Sequence, residues 1–178
     1  MENAKIKGWS YRVYPNGIES SEFGPFKHLI DLWQTKSGNN AFPTWRDFEL
    51  EDFSMWWGRL SLATVLKDPL DIKFVLWGTT LTDWWGIDFT NKDMENVYEN
   101  RKENWENFEG PYLQALLDAK GVGLVEGDLR VIDRDFLTVQ GIDLPLLKDG
   151  ALSQILSAYC IIDAGDKSGP CHTPLWKR

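Results

Sequence analysis

The 178-residue sequence predicts an α+β domain built on one antiparallel sheet of about five strands, its helices on one face, with a helical extension at the amino end. Three observations carry this expectation: two β-rich segments over 59–66 and 72–77, helix-patterned segments from Thr80 to Gly121, and three further β-rich segments from Val122 to Ile162. Strands grouped on either side of a helical stretch give an α+β layout, whereas alternating strand and helix would give a parallel sheet. The expected organisation is an amino-terminal arm and helical extension over 1–58, a core over 59–162 and an irregular tail over 163–178.

Along the first 23 residues, aromatics (Trp9, Tyr11, Tyr14, Phe23) are scattered among Gly, Pro, Asn and Ser without a sustained period, which predicts an extended arm packed loosely on the domain. Phe26, Leu29, Ile30 and Trp33 then follow i, i+3, i+4, i+7 spacing, with Pro25 suited to a first helical turn and Gly38 to the stop. Such an apolar stripe needs cover, so this helix is expected either to pack on the outer sheet face or to form a dimer interface through those four residues. Over 41–57 a Pro-marked loop leads into short helical turns whose carboxylates (Asp47, Glu49, Glu51, Asp52) are read as a solvated face.

Arg59–Leu66 and Ile72–Trp77 read as a β-hairpin around Lys67-Asp68-Pro69-Leu70-Asp71. Gly78 lets the second strand turn sharply, Thr79 or Thr80 is expected to cap a short helix through Trp84 and Trp85, and Gly86 suits a left-handed stop. Thr80-Leu81-Thr82-Asp83 and Thr90-Asn91-Lys92-Asp93 both fit the capping-box form, the second opening a longer helix from Met94 through Trp105 and Phe108. Gly110-Pro111 restarts that helix, and Tyr112, Leu113, Leu116 and Leu117 carry it to Gly121. Val122–Ile132, Phe136–Leu147 and Leu152–Ile162 then form a three-stranded meander, with Asp149-Gly150 as a hairpin signal.

Composition narrows the partners. Lys and Arg number 19 against 27 Asp and Glu, a net charge of −8, whereas a phosphate-binding surface needs a basic surplus. Nucleic acid is therefore not an expected partner. The longest uncharged stretch, Gly150–Ile162, falls short of the roughly 20 residues that span a bilayer, and the amino end has no apolar leader, so a cytoplasmic protein with no membrane span is expected. Cys160 and Cys171 are too few for a disulfide framework and lack ligand spacing. Ten tryptophans stand out; a Trp-heavy core, a pocket for a flat ligand, a carbohydrate platform and a protein interface all draw on this residue.

The stretch Ile72-Lys73-Phe74-Val75-Leu76-Trp77-Gly78-Thr79, then Leu81, then Trp85-Gly86-Ile87-Asp88-Phe89-Thr90 resembles a PAS-domain family of short bacterial proteins. The resemblance runs from about Phe26 to about Ile161 and includes Leu32-Trp33 and the loop containing Pro43. Its structural motif falls on Gly78, Thr79, Gly86, Asp88 and Thr90; Val75 stands where an Arg is common and Asn91 where Gly is expected. It implies a PAS-like fold and a sensory or regulatory module, without catalysis of its own, that binds a small molecule or a signalling protein partner. Only 16 residues follow Ile162, so output is expected to pass through binding to another protein, with a homodimer as a further expectation.

No cofactor is identified by these residues. His28 and His172 lie off the helix where an axial haem ligand would stand, and Cys160 and Cys171 lie off the helical cluster that a flavin–cysteine adduct would use, so the sequence argues against both. No phosphate-loop or dinucleotide motif is complete. The expected ligand pocket is lined by Trp85, Trp105, Tyr112 and Leu116 from the helices and Tyr159 from the last strand, since 105, 108, 112 and 116 share one helix face. The enzymatic alternative is a cone-shaped pocket like those of ketosteroid isomerases or dehydratases, recruiting Tyr112, Tyr159 and Asp128. A second alternative is a carbohydrate-binding module with tryptophans on an open sheet face.

Overall fold

A computed structural model describes residues 8–94, 105–129 and 134–162 of the chain. The fold is α+β around one six-stranded antiparallel sheet in the order β1-β4-β5-β6-β2-β3. The strands are β1 (Trp9–Tyr14), β2 (Leu60–Leu66), β3 (Asp71–Trp77), β4 (Val122–Leu129), β5 (Arg134–Lys148) and β6 (Ala151–Ile162). Among the described residues the α-helices are α1 (Lys27–Ser37), α2 (Thr79–Trp85) and α3 (Gly110–Ala119), the last preceded by a π-helical turn over Trp105–Glu109.

The hairpin β2–β3 and the meander β4–β5–β6 form where the sequence predicts them, and pairing of β2 with β6 (Leu60↔Ala158 to Thr64↔Gln154) joins the two groups. The sixth strand corrects the expectation of five. Residues 9–14 are not a loose arm: they pair antiparallel with β4 from Trp9↔Gly127 to Tyr14↔Val122 and form one edge of the sheet. Tyr11 turns inward, and Trp9 fixes its indole by donating to the Asp128 carbonyl at 2.8 Å.

Strand alternation sends successive side chains to opposite faces, and each face has its own cover. Leu60, Leu62, Ile142, Leu144, Leu146, Leu156, Ala158 and Cys160 meet α1 and the turns that follow it. Ala63, Phe74, Val139 and Val65, Ile155 on the other face meet α2 and α3. Helices therefore cover both faces, not one.

This layering decides the fate of the α1 stripe. Phe26, Leu29, Ile30 and Trp33 are at most 1% exposed within a single chain, and the Trp33 indole donates to the Pro145 carbonyl at 3.0 Å. The outer-face alternative holds, and the dimer interface expected at these four residues is corrected, because no surface of theirs is left for a second copy. Burial of each such side chain contributes roughly 1.5–3 kcal/mol.

The solvated face forms as read, with Asp47, Glu49 and Glu51 exposed and Asp52 half-buried, and two of its carboxylates also hold local turns: Asp47 Oδ2 accepts from the Thr44 N–H at 2.6 Å, and Asp52 Oδ2 accepts from the Glu49 N–H at 2.8 Å while pairing with Lys36 at 2.6 Å. One local reading is corrected. At α2 the N-cap is Gly78, with no side-chain cap, in place of Thr79 or Thr80. The open Leu81 N–H instead donates to the Gly58 carbonyl at 3.1 Å. That contact requires glycine at 78, where a Cβ would lie 2.2 Å from the Gly58 oxygen.

Gly86 closes α2 in the left-handed conformation, φ 72°, as its position predicts. Asp88 Oδ1 then accepts from the Thr90 N–H at 2.8 Å, closing a local turn. Asn91 and Lys92 run beside β3, exchanging backbone hydrogen bonds with Phe74 at 2.8 and 3.0 Å. Most of the longer helix predicted after Thr90, the turn around Asp133 and the tail from Asp163 lie outside the described residues.

Candidate functional site

Between α2, α3 and the sheet lies a cavity of about 190 Å³. A 150 Å³ apolar cavity is enough to take up benzene, so this one has room for a ring with a short substituent. Strands β5 and β6 supply Asp143, Ser157 and Tyr159; β3 supplies Phe74 and Trp77; α2 supplies Trp85; and the π-turn and α3 supply Trp105, Phe108, Tyr112 and Leu116. Phe89 and Trp9 complete the aromatic wall.

All five residues expected to line a pocket, Trp85, Trp105, Tyr112, Leu116 and Tyr159, line this one. They reach it from α2, the π-turn, α3 and β6, elements that only the tertiary fold brings together. The rings brace each other: Trp77 meets Trp85 edge-on at 5.4 Å and 84°, and Trp85 meets Tyr159 at 5.3 Å and 68°. Each such pair adds about 0.5–1.5 kcal/mol beyond area burial, which favours a preformed wall.

Glycines on the sheet make space for three of these rings. A Cβ on Gly123 would lie 2.0 Å from the Tyr112 hydroxyl oxygen, one on Gly127 would lie 2.1 Å from the Trp9 ring, and one on Gly141 would lie 2.6 Å from Tyr159. The rings lie directly on bare backbone, so any side chain at these positions would push aromatic atoms into the cavity.

One polar cluster interrupts the apolar lining. Asp143 on β5 accepts a hydrogen bond from the Tyr112 hydroxyl at Oδ2 and one from the Ser157 hydroxyl at Oδ1. Burial pushes the Asp143 carboxyl above its ordinary range, with the two hydroxyl donors opposing the shift. The Tyr112 hydroxyl is pushed well above its usual value, first by burial and then by the neighbouring Asp143 charge and hydrogen bond. Trp77 adds a strained note: its indole N–H is buried and has no partner among the described residues, which costs about 1–3 kcal/mol.

Asp128, grouped with Tyr112 and Tyr159 in the enzymatic alternative, also lines the cavity, but the carboxylate joined to Tyr112 is Asp143. Asp143, Ser157, Trp77, Phe89 and Trp9 were not anticipated as site residues. A signal for Asp143 exists in Gly141-Ile142-Asp143-Leu144: alternation puts this Asp on the face opposite Ile142 and Leu144, where an ionisable group inside a long strand is costly.

The remaining chemistry-bearing residues sit elsewhere. His28 is on the exposed side of α1, across the sheet from the cavity, and Cys160 is buried in the α1-side core. His172 and Cys171 lie outside the described residues. Among the described residues no group of three His, Cys, Asp or Glu could hold a metal ion, and no helix is long and apolar enough to cross a membrane. Compared with known proteins, the chain matches no family model, no curated protein and no solved structure.

Proposed function

We propose that the chain is a non-enzymatic, PAS-like sensory or regulatory module that takes a small molecule into the cavity and passes its occupancy to a signalling protein partner. The observation that carries this reading is the cavity walled by converging aromatic rings, a mostly apolar site with few polar groups. The topology supports it as well: a hairpin, a helical stretch and a meander whose last strand pairs with the first strand of the hairpin. That is the arrangement a PAS-like assignment needs, with β1 added at the sheet edge.

A ligand shifts a protein surface only through its differential affinity for two states, so occupancy must change stability and partner binding together. Native mass spectrometry of the purified protein, with a thermal melt of wild type and Trp85→Ala, tests the reading. A co-purifying mass that Trp85→Ala loses while remaining folded supports a sensor. Unchanged ligand content and partner capture in a folded Trp85→Ala would replace the sensor with a pure adaptor.

One observation favours a second reading, the proton-transfer enzyme. A buried carboxylate of raised pKa beside a tyrosine hydroxyl in an apolar cavity is the kind of environment that tunes an acid or base. Deuterium uptake from heavy water into small cyclic ketones, absent with Asp143→Asn, would shift the assignment to that class. The carbohydrate alternative is not favoured: the strand tryptophans Trp9 and Trp77 are half-buried and buried, and the exposed Trp57 follows a short helical turn and is not on the sheet.

A further inference from the structure

If the cavity is a ligand site, the groups around Asp143 define what it takes. We propose that the ligand is a small ring compound carrying one cationic nitrogen, with the nitrogen against Asp143 and the ring among Trp85, Trp105 and Tyr159.

Three observations converge. First, Asp143 lines the cavity and has a hydroxyl on each oxygen, from Tyr112 and Ser157. Both are neutral donors, so they orient the carboxylate without cancelling its charge, and each oxygen keeps capacity for a further donor. Secondly, the described lining contains two more carboxylates, Glu109 and Asp128, and no Lys, Arg or His. A buried charge is stabilised by pairing, and the described partners of Asp143, the Tyr112 and Ser157 hydroxyls, are both neutral. Thirdly, the wall is aromatic, and aromatic faces attract desolvated cations. A carboxylate ligand would face like charge, and an uncharged ligand would leave Asp143 to be neutralised by a proton. The 190 Å³ volume limits the ligand to about one ring and a short arm.

The test uses the full chain and three probes of matched size, 2-phenylethylamine, 2-phenylethanol and phenylacetate, titrated calorimetrically at neutral pH and repeated on Asp143→Asn and Trp85→Ala. The amine should bind about tenfold or more tighter than the alcohol, with phenylacetate weakest, because a hydrogen bond to a charged partner exceeds a neutral one by this order. Asp143→Asn should close the gap between amine and alcohol to within about threefold, and Trp85→Ala, which removes a ring-to-ring contact that both probes share, should weaken both by a similar factor. Alcohol equal to or tighter than amine, phenylacetate tightest, a gap that survives Asp143→Asn, or no binding by any probe overturns the proposal. The wild-type ranking stands as a test even where a variant does not fold. A neutral or acidic molecule found by native mass spectrometry would leave the ligand-site reading intact and overturn this one alone.

Discussion

The Tyr112 hydroxyl on α3 donates to the Asp143 carboxylate on β5, joining helix to sheet across 31 residues of chain. Ser157 on β6 holds the other oxygen, so one buried carboxylate ties three elements together at the cavity. Tyr112→Phe removes one donor and leaves the ring in place. The expected loss is about 1–3 kcal/mol of unfolding free energy, since a charged acceptor is left with one partner in place of two. Urea denaturation of both proteins measures it. A variant as stable as wild type would mean that this hydrogen bond contributes nothing net.

The same carboxylate sets a direction for pH dependence. Burial raises the folded pKa of Asp143 above its unfolded value, so between the two the native state binds more protons than the unfolded one. Its contribution to stability then falls as pH rises from the ordinary carboxylate range through the raised value. Tyr112 and Ser157 face it directly, with Glu109 and Asp128 on the same cavity wall. Asp143→Asn should flatten that decline and match or exceed wild type at neutral pH. The carboxyls of Asp47 and Asp88, exposed, and of Asp52, half-buried, are lowered by their hydrogen bonds, that of Asp52 first by Lys36. Their contribution is lost on acidification in both proteins. Thermal melts across pH 3 to 8 separate the two limbs, and an unchanged neutral limb in Asp143→Asn would remove Asp143 as its source.

The sheet glycines predict a second kind of defect. Gly141→Ala places a Cβ 2.6 Å from the Tyr159 ring and 2.9 Å from Val125. Overpacking of this kind costs about 1–3 kcal/mol, and the ring's way out is into the cavity. The variant should lose ligand content more than fold. Gly150→Ala is the control: at φ 79° it strains the β5–β6 turn, but a Cβ there meets nothing within 4 Å. It should cost stability without altering the cavity. Native mass spectrometry beside a melt distinguishes them, and equal ligand retention in both would remove Gly141 from the site.

What was legible in the sequence follows from range. The α1 stripe, the β2–β3 hairpin and the meander are periodic over their own length, and periodicity is a local property. Strand β1 was missed because Trp9–Tyr14 alternates for only six residues and gains its partner in β4, more than a hundred residues away. The α2 cap was misread because Thr80 and Asp83 match a capping pattern, while the acceptor in use is the carbonyl of Gly58 on a distant turn. Helical spacing gave the pocket residues of α3. The pairing of Tyr112 with Asp143 and Ser157 depends on strand register, which the chain does not display locally.

A charge placed in the α1 stripe distinguishes core from interface. Leu29 is 1% exposed and packs against the sheet face formed by β2, β5 and β6. Were it a dimer contact, Leu29→Asp would split the assembly and leave folded protomers. Buried inside one chain, the aspartate must instead be desolvated without a partner, at a cost of several kcal/mol. That is comparable to the whole stability of a domain, about 5–15 kcal/mol. Leu29→Asp should therefore lose its folded circular dichroism signal or melt far below wild type. Trp57→Ala, at a residue 60% exposed, should melt within a few degrees of wild type, as exposed positions change stability by about 0.5 kcal/mol or less. Light scattering with circular dichroism reads both outcomes. A folded Leu29→Asp protein with half the particle mass of wild type would restore the interface that the packing of α1 excludes.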